Sequence, residues 1–281
     1  MKLACLIVCM LALFKQANAC SSSSMIAVGG ISGFSDLADP ANTYTLEACH
    51  VRLYLHRVAW ERTPPVARKA ILDVFNNAGT QVVEIEVHSN PGRYFQGYFA
   101  QQFLASGVVT REAHVNFFRV ERPISEWTSF VDAGRAAGLS IVAPIFSPNN
   151  GQFQQGSFFS PIWEKVRMAA VYGGGLTLDP PSDFFLAQSS DYRRFTIDEI
   201  LWANNHHLRT TVIVSPGKSG KDFLRDTKNL VSILEGAGAK PAQYVVENYE
   251  PGGDATYLNR IGSEHGRNTV AAVALWIAQH Q

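Results

Sequence analysis

The stretch RTTVIVSPGKSGKDFLRDTKNLVSILEGAGAKPAQYVVENY, residues 209–249, holds the pattern that decides the fold. It begins and ends with runs rich in β-branched residues, 209–215 and 243–249. Between these runs, five side chains recur at the spacing of one helix face: Phe223, Thr227, Leu230, Val231 and Leu234. Gly236 and Gly238 follow, and glycine readily adopts the left-handed conformation that ends a helix. A strand, a one-sided helix and a second strand predict a βαβ unit with parallel strands.

The same pattern recurs along most of the chain. Further strand patterns occupy residues 25–30, 49–56, 80–87, 113–120, 139–146 and 174–179. Most are separated by helical patterns, although no long apolar helix pattern follows the first of them. We therefore predict an α/β fold in a single domain, a TIM-type (β/α)8 barrel, or a seven-stranded variant if 25–30 is not a strand.

Proline and short polar residues mark the expected starts of helices. Thr63 precedes Pro64, and Ser-Pro at 160–161 repeats the arrangement of an N-cap before a proline in the first turn. Ser219 lies three residues before Asp222, which resembles a capping box. We therefore expect helices that begin at Pro64, at residue 161 and just after Ser219.

The N-terminus has the three parts of a secretory signal peptide: a lysine, an apolar run over 3–14 and an Ala-Asn-Ala cleavage pattern at 17–19. The predicted division of the chain is a signal peptide, 1–19, a Ser-rich tether, 20–24, and a barrel catalytic domain, 25–281. This predicts a secreted or periplasmic protein with no transmembrane segment in the mature chain. The alternative is a lipoprotein anchored through Cys20.

Removal of residues 1–19 leaves two cysteines, Cys20 and Cys49. In an oxidising compartment two cysteines most simply form one disulfide. A loop of about thirty residues closed in this way contributes about 3 to 4 kcal/mol to the free energy of unfolding in the chain-entropy model. A bridged Cys20 has no thiol left for a lipid.

The composition argues against several partners. The chain has 24 basic and 24 acidic residues, and its formal net charge of zero is not that of a nucleic-acid-binding protein. No Cys or His spacing matches a zinc site, and the run of three glycines at 173–175 precedes a strand, whereas a phosphate-binding loop follows one. We expect no cofactor, and the oligomeric state stays open.

Polar residues alternate with apolar ones along two of the predicted strands. His56 ends the polar face of one strand, and Glu84, Glu86 and His88 share a face of the next. Unpaired charge against the covering helices is too costly, so these faces must point into the barrel. Barrel enzymes have their active sites at the carboxyl ends of the strands. We predict Glu86 as a catalytic residue and His56, His88 and Asn116 as substrate-binding residues.

Two further carboxylates lie at strand ends. Asp179 ends a strand and is followed by two prolines, which stop the strand where the carboxylate emerges. Glu247 lies near the end of the last strand, in VVENYE. We predict Asp179 and Glu247 as the catalytic pair, with Glu86 or Glu121 as a substitute member. The other predicted substrate-binding residues are Glu121, Asp183, Asn248 and Tyr249.

Other residues have structural interpretations. Arg52 and Glu84 form a buried ion pair if they lie in a lower layer of the barrel. Five carboxylates fall within helical patterns and are expected on solvated faces: Asp198, Glu199, Asp222, Asp226 and Glu235. Aromatic residues within 94–99, 153–159 and 184–185 follow predicted strands and are candidates for stacking against sugar rings.

This arrangement resembles the barrel glycoside hydrolases at the level of architecture, over the whole mature chain. The resemblance implies cleavage of an extracellular or cell-envelope polysaccharide. Such hydrolysis uses two carboxyl groups, one protonated and one ionised.

A second resemblance covers about a third of the chain. His56-Arg57 followed by Glu84-Ile85-Glu86 is similar to the metal site of the glycerophosphodiester phosphodiesterases, although Val58 replaces a glycine of that motif and Glu86 an aspartate. It implies a divalent cation held by Glu84 and Glu86, with a histidine as acid or base. A non-catalytic polysaccharide-binding barrel, which needs no carboxylate pair, is the third alternative.

Overall fold

A computed structural model describes residues 20, 25–30, 33–39, 42, 46, 49–77, 83–88, 110–116, 123–146, 161–180, 185–186, 190–216, 222–248, 261–262 and 268–280. For residues 57–58, 76–77, 83–88, 116, 161–162 and 190–192 it describes the backbone alone. The predicted signal peptide, 1–19, lies outside these residues.

Eight parallel strands form a closed barrel in chain order. Their bounds are β1 Met25–Gly30, β2 Arg52–His56, β3 Val83–His88, β4 Glu112–Asn116, β5 Ile141–Phe146, β6 Gly175–Leu178, β7 Arg209–Val214 and β8 Gln243–Asn248. β1 pairs with both β2 and β8, so the N-terminal strand closes the barrel. The predicted TIM-type (β/α)8 fold is confirmed, in its eight-stranded form.

The stagger of the strands sets which side chains meet inside the barrel. A path around the barrel from one hydrogen-bonded partner to the next starts at Ala27 on β1 and moves six residues forward along the strands in total. It returns to β1 at Met25, two residues before its start. The total stagger is therefore eight residues, the value expected for this fold. With this stagger, inward-facing residues from alternate strands lie at one height, so β2, β4, β6 and β8 contribute to common layers.

Helices connect and cover the strands. Their bounds are α1 Arg57–Arg62, α2 Pro65–Asn77, α3 Ile124–Ala136, α4 Pro161–Gly173, α5 Ser190–Asn205, α6 Phe223–Gly236 and α7 Val270–His280, with a 3₁₀ helix at Phe34–Ala38 after β1. α7 follows the last strand and packs against β1 and β8. The last described helix therefore packs against the first strand and the last strand of the barrel.

The helix α6 follows the sequence pattern closely. Its buried residues are Phe223, Thr227, Leu230, Val231 and Leu234, the face that the spacing predicts. The chain leaves the helix through Gly238, whose φ of 70° is left-handed. The predicted start is wrong, because the helix begins at Phe223. The N-cap residue Asp222 makes no side-chain cap hydrogen bond, and its carboxylate lies 3.0 Å from Arg225 instead.

α2 also begins one residue later than predicted, at Pro65. The Thr63 hydroxyl donates to the Ala59 carbonyl at 2.7 Å and so completes the end of α1. The Pro64 carbonyl accepts the first helical hydrogen bond, from the Arg68 N–H at 2.9 Å. Pro64 is therefore the N-cap, and Pro65 is the residue in the first turn. The predicted start of α4 at Pro161 is confirmed.

Most of the apolar core lies between the barrel wall and the helices. Val28, Leu53, Val212 and Val246 face this layer and are fully buried. Removal of a side chain of this size from water contributes about 1.5 to 3 kcal/mol to folding. The core therefore holds the strands in place and leaves the inside of the barrel for other residues.

Cys20 and Cys49 form a disulfide, with their Cα atoms 5.4 Å apart, as the sequence predicts. The bridge joins the segments that precede β1 and β2, at the end of the barrel where the strands begin. Among the helices that the structure describes, none is both long enough and apolar enough to cross a membrane.

Candidate active site

The inside of the barrel is a separate compartment. A small apolar cluster lies there, distinct from the core beneath the helices: Ala27, Tyr54, Ile145, Ile213 and Val245. Because strand side chains alternate, described residues two positions away from these on the same strands also face inward. The interior can therefore be read in layers from the base, where the strands begin, to the mouth, where they end.

The base contains a network of opposite charges. Arg52 Nη1 lies 3.3 Å from Glu112 Oε1, and Arg209 Nε lies 2.9 Å from Glu112 Oε2. Arg209 also donates to Gln243 Oε1 at 2.6 Å. The described carboxylate partner of Arg52 is therefore Glu112. Glu84, its predicted partner, belongs to the strand whose side chains are not described.

The middle layer carries a buried polar pair. His114 Nδ1 and Thr177 Oγ1 lie 2.7 Å apart, and the His114 ring lies 5.3 Å from the Tyr54 ring, centroid to centroid. Val245 completes the layer, and all four side chains are at most 1% exposed. His114 and Thr177 are not among the predicted site residues, because both lie within strands and not at strand ends.

The mouth layer lies two residues further along the same strands. It contains His56 on β2, Asp179 directly after β6, and Glu247 on β8. His56 and Glu247 are 1% and 3% exposed, whereas Asp179 is half-buried. The Asp179 N–H donates to the Phe146 carbonyl at 2.9 Å, which continues the β5–β6 ladder and fixes the position of Asp179. The structure thus brings three predicted site residues to one height.

The register places further predicted residues beside this layer at the level of the backbone. Glu86 pairs with His56 on one side and with His114 on the other, and His88 pairs with Asn116. Asn116 is the β4 position of the mouth layer itself. Glu84 lies lower, opposite Tyr54 and Glu112.

Other predicted site residues do not join the mouth layer. Asn248 follows Glu247 directly, so its side chain alternates to the helix-facing side, where it is 2% exposed. Glu121, Asp183 and Tyr249 lie outside the described residues. Of the loop aromatic residues proposed for stacking, the structure describes Phe185, which is fully buried with the Arg193 guanidinium 5.7 Å from its ring centroid.

Glu199 corrects one expectation from the sequence. It is 2% exposed rather than solvated, and Arg167 binds both of its carboxylate oxygens, with the Nε contact at 3.1 Å. Burial raises the pKa of Glu199, and the hydrogen bond from Arg167 opposes this shift. The neighbouring Asp198 and the more distant Glu235 are exposed as expected.

Among the side chains that the structure describes, no group of three or more His, Cys, Asp or Glu residues could hold a metal ion. Glu84 and Glu86, the predicted cation ligands, are not among those side chains. Their role as ligands stays a prediction.

No family model and no curated protein matches this chain. Solved structures do resemble it. The carboxyl transferase domain of Rhizobium etli pyruvate carboxylase superposes with a TM-score of 0.53 at 9% identity, covering 95% of this chain and 49% of that one. This chain thus spans about half the length of that structure.

Two other neighbours have lower scores. Dihydropteroate synthase from Stenotrophomonas maltophilia has a TM-score of 0.46 at 11% identity, covering 92% of both chains. Cel5A (EG2) from Hypocrea jecorina has a TM-score of 0.47 at 10% identity, covering 89% of this chain and 92% of that one. At such identities the likeness shows the fold alone. The chain is a TIM-type barrel protein, and its function has to be argued from the mouth of the barrel.

Proposed function

We propose that this protein is a secreted glycoside hydrolase that cleaves an extracellular or cell-envelope polysaccharide, with Asp179 and Glu247 as its carboxylate pair. One observation carries the proposal: Asp179 and Glu247 occupy one layer at the carboxyl ends of the strands. Barrel enzymes have their chemistry at this end. Two carboxyl groups in one layer repel each other whenever both are ionised, and this cost to stability favours a functional reason for their presence.

Strand geometry gives a suitable separation for the two groups. Strands about 4.8 Å apart and tilted by about 36° place alternate strands of an eight-stranded barrel about 10 Å apart at Cα. Inward-pointing carboxylates converge from there. This puts them near the separation of about 5 to 9.5 Å over which paired carboxyl groups hydrolyse glycosidic bonds.

The two groups differ in burial: Glu247 is 3% exposed, whereas Asp179 is half-buried. We assign to this pair the two roles that glycoside hydrolysis needs, a general acid and a nucleophile or base. His56 shares their layer and is assigned to substrate binding, as are the strand positions of His88 and Asn116.

The proposed location of the protein agrees with this substrate. The signal-peptide pattern of residues 1–19 indicates export, and the Cys20–Cys49 bridge suits an oxidising compartment. Disulfide bonding and acylation compete for the same sulfur of Cys20. The bridge therefore favours a freely secreted or periplasmic protein over a lipoprotein.

The proposal is tested with a panel of extracellular and cell-envelope polysaccharides. Mature wild type, Asp179→Asn and the control Glu164→Gln, an exposed carboxylate on α4, are assayed for new reducing ends. We expect release by wild type and by Glu164→Gln, and its loss in Asp179→Asn with an unchanged melting temperature. Equal release by all three proteins would contradict the proposal.

A metal-dependent phosphodiesterase is the second candidate, because the register pairs His56 with Glu86. It predicts cleavage of a glycerophosphodiester that is abolished by a chelator and restored by a divalent cation. Glycoside release that is insensitive to the chelator supports the first candidate. Polysaccharide binding by wild type without any product supports the third alternative, a non-catalytic barrel.

A further inference from the structure

The middle layer of the barrel carries polar groups where apolar ones would be more stabilising. This layer of a TIM-type barrel is dominated by Val, Ile and Leu. Here Val245 follows that rule, whereas His114 and Thr177 do not. A buried hydrogen bond recovers little more than the desolvation cost of its partners. Stability alone therefore gives no reason for the pair.

The surroundings of His114 hold its ring in one orientation. The 2.7 Å contact with Thr177 Oγ1 fixes Nδ1, and the Tyr54 ring packs against the imidazole. Space for Tyr54 depends on Gly29, because a Cβ at that position would lie 2.4 Å from the Tyr54 carbonyl oxygen and 3.1 Å from its ring. Residues on β2 and β6 thus contact the His114 ring, and Gly29 on β1 leaves the space that Tyr54 needs.

The position of this pair connects it to the mouth layer. Thr177 lies two residues before Asp179 on the same strand, and Tyr54 lies two residues before His56. Two residues of a strand span about 6.6 Å, so the His114–Thr177 pair lies one inward-facing position below the mouth layer on β4 and β6. The hydrogen bond between β4 and β6 at this height restrains the segment of β6 that leads into Asp179.

We propose that His114 is a positioning residue of the active site: bound to Thr177, it holds the end of β6 and therefore Asp179 in the geometry for reaction. This inference rests on the proposed function and adds His114 and Thr177 to its machinery. It predicts that the hydroxyl of Thr177, rather than its volume, matters for turnover.

The test compares Thr177→Val, which keeps the shape and removes the hydroxyl, with Thr177→Ser, which keeps the hydroxyl. Misplacement of a reacting group lowers kcat by about 10- to 100-fold. We expect that loss in Thr177→Val with KM unchanged and an altered pH profile of kcat/KM, and recovery of most of the activity in Thr177→Ser. Equal kcat values in the two variants, with any difference confined to melting temperature, would overturn the inference and leave the proposed function intact.

A second readout does not depend on turnover. In protein labelled with ¹⁵N-histidine, the ring signals of His114 are assigned by their loss in His114→Gln. They should shift in Asp179→Asn and stay in place in Glu164→Gln. No shift in Asp179→Asn overturns the inference even if the enzyme is active. If wild type releases no product, the proposed function fails, and this readout still decides whether His114 and Asp179 are coupled.

Discussion

The base and the mouth of the barrel differ in the charged groups that they bring together. At the base, the Glu112 carboxylate lies between the guanidinium groups of Arg52 and Arg209. At the mouth, Asp179 and Glu247 bring two carboxylates to one height. The opposite charges at the base serve the fold, whereas the two carboxyl groups of the mouth layer are the proposed catalytic pair. The same alternation of side chains along the strands builds both ends.

The largest expected effect is on catalysis at the mouth. Glu247→Gln keeps the size of the side chain and removes the ionisable group. We expect kcat to fall by about 10²- to 10⁴-fold, the contribution of general acid–base catalysis, with little change in melting temperature. Steady-state kinetics and a thermal melt on one preparation measure both. A strongly lowered melting temperature with activity retained would place Glu247 with the structural charges of the base.

Glu112→Gln is the matched change at the base and should have the reverse effect. It removes the carboxylate charge that Arg52 and Arg209 share, and removal of one partner from a buried ion pair costs about 3 to 5 kcal/mol of unfolding free energy. Urea titration measures the loss, with the exposed Glu235→Gln as control. The kcat of the folded fraction should be unchanged. A fall in kcat comparable to that of Glu247→Gln would remove the distinction between the two ends.

Removal of the disulfide tests a second contribution to stability at the base, because the bridge joins the segments that lead into β1 and β2. Cys49→Ser should lower the free energy of unfolding by about 3 to 4 kcal/mol in oxidised samples, as expected for a closed loop of about thirty residues. Cys20→Ser, and the double variant, should show the same loss. Equal stability of oxidised and reduced wild type would eliminate the bridge.

Glu199 lies on a helix outside the barrel, and its substitution should have the smallest effect, a change in how stability depends on pH. Its pKa is raised by burial, so the folded state binds the proton more tightly than the unfolded state. The contribution of Glu199 to stability is therefore greatest at low pH and is lost as the pH rises through its raised pKa. Wild type should lose stability relative to Glu199→Gln over this range, as urea titrations at several pH values will show. The exposed Asp198→Asn should track wild type, and a constant difference between wild type and Glu199→Gln would contradict the raised pKa.

The sequence predicts the barrel well because strands and helices each leave a periodic pattern of apolar residues. β-branched runs predict seven of the strands, and the structure confirms 25–30, which the sequence left open, as the eighth. The face of α6 was predicted residue by residue for the same reason. The starts of α2 and α6 were not, because the Thr63 hydroxyl binds the end of α1 and Asp222 contacts Arg225. These are local choices between alternative hydrogen bonds.

The sequence predicts candidate site residues that lie at strand ends, but not those that lie deeper inside the barrel. His56, Asp179 and Glu247 stand at strand ends, which draws attention to them. His114 has the same alternation with Ala113 and Val115 but lies one layer deeper, and its partner Thr177 is 63 residues away. The ion pair of Glu199 with Arg167 depends on the packing of two helices. Pairings between distant segments follow from the stagger and the packing, which the sequence does not display.

The most direct test of the account is the distance between the Asp179 and Glu247 carboxyl groups in a crystal structure with a bound oligosaccharide. The account predicts about 5 to 9.5 Å between them, with the glycosidic bond in the gap, as hydrolysis by paired carboxyl groups requires. Carboxyl groups that lie well beyond this range, or a sugar bound away from the mouth layer, would contradict it.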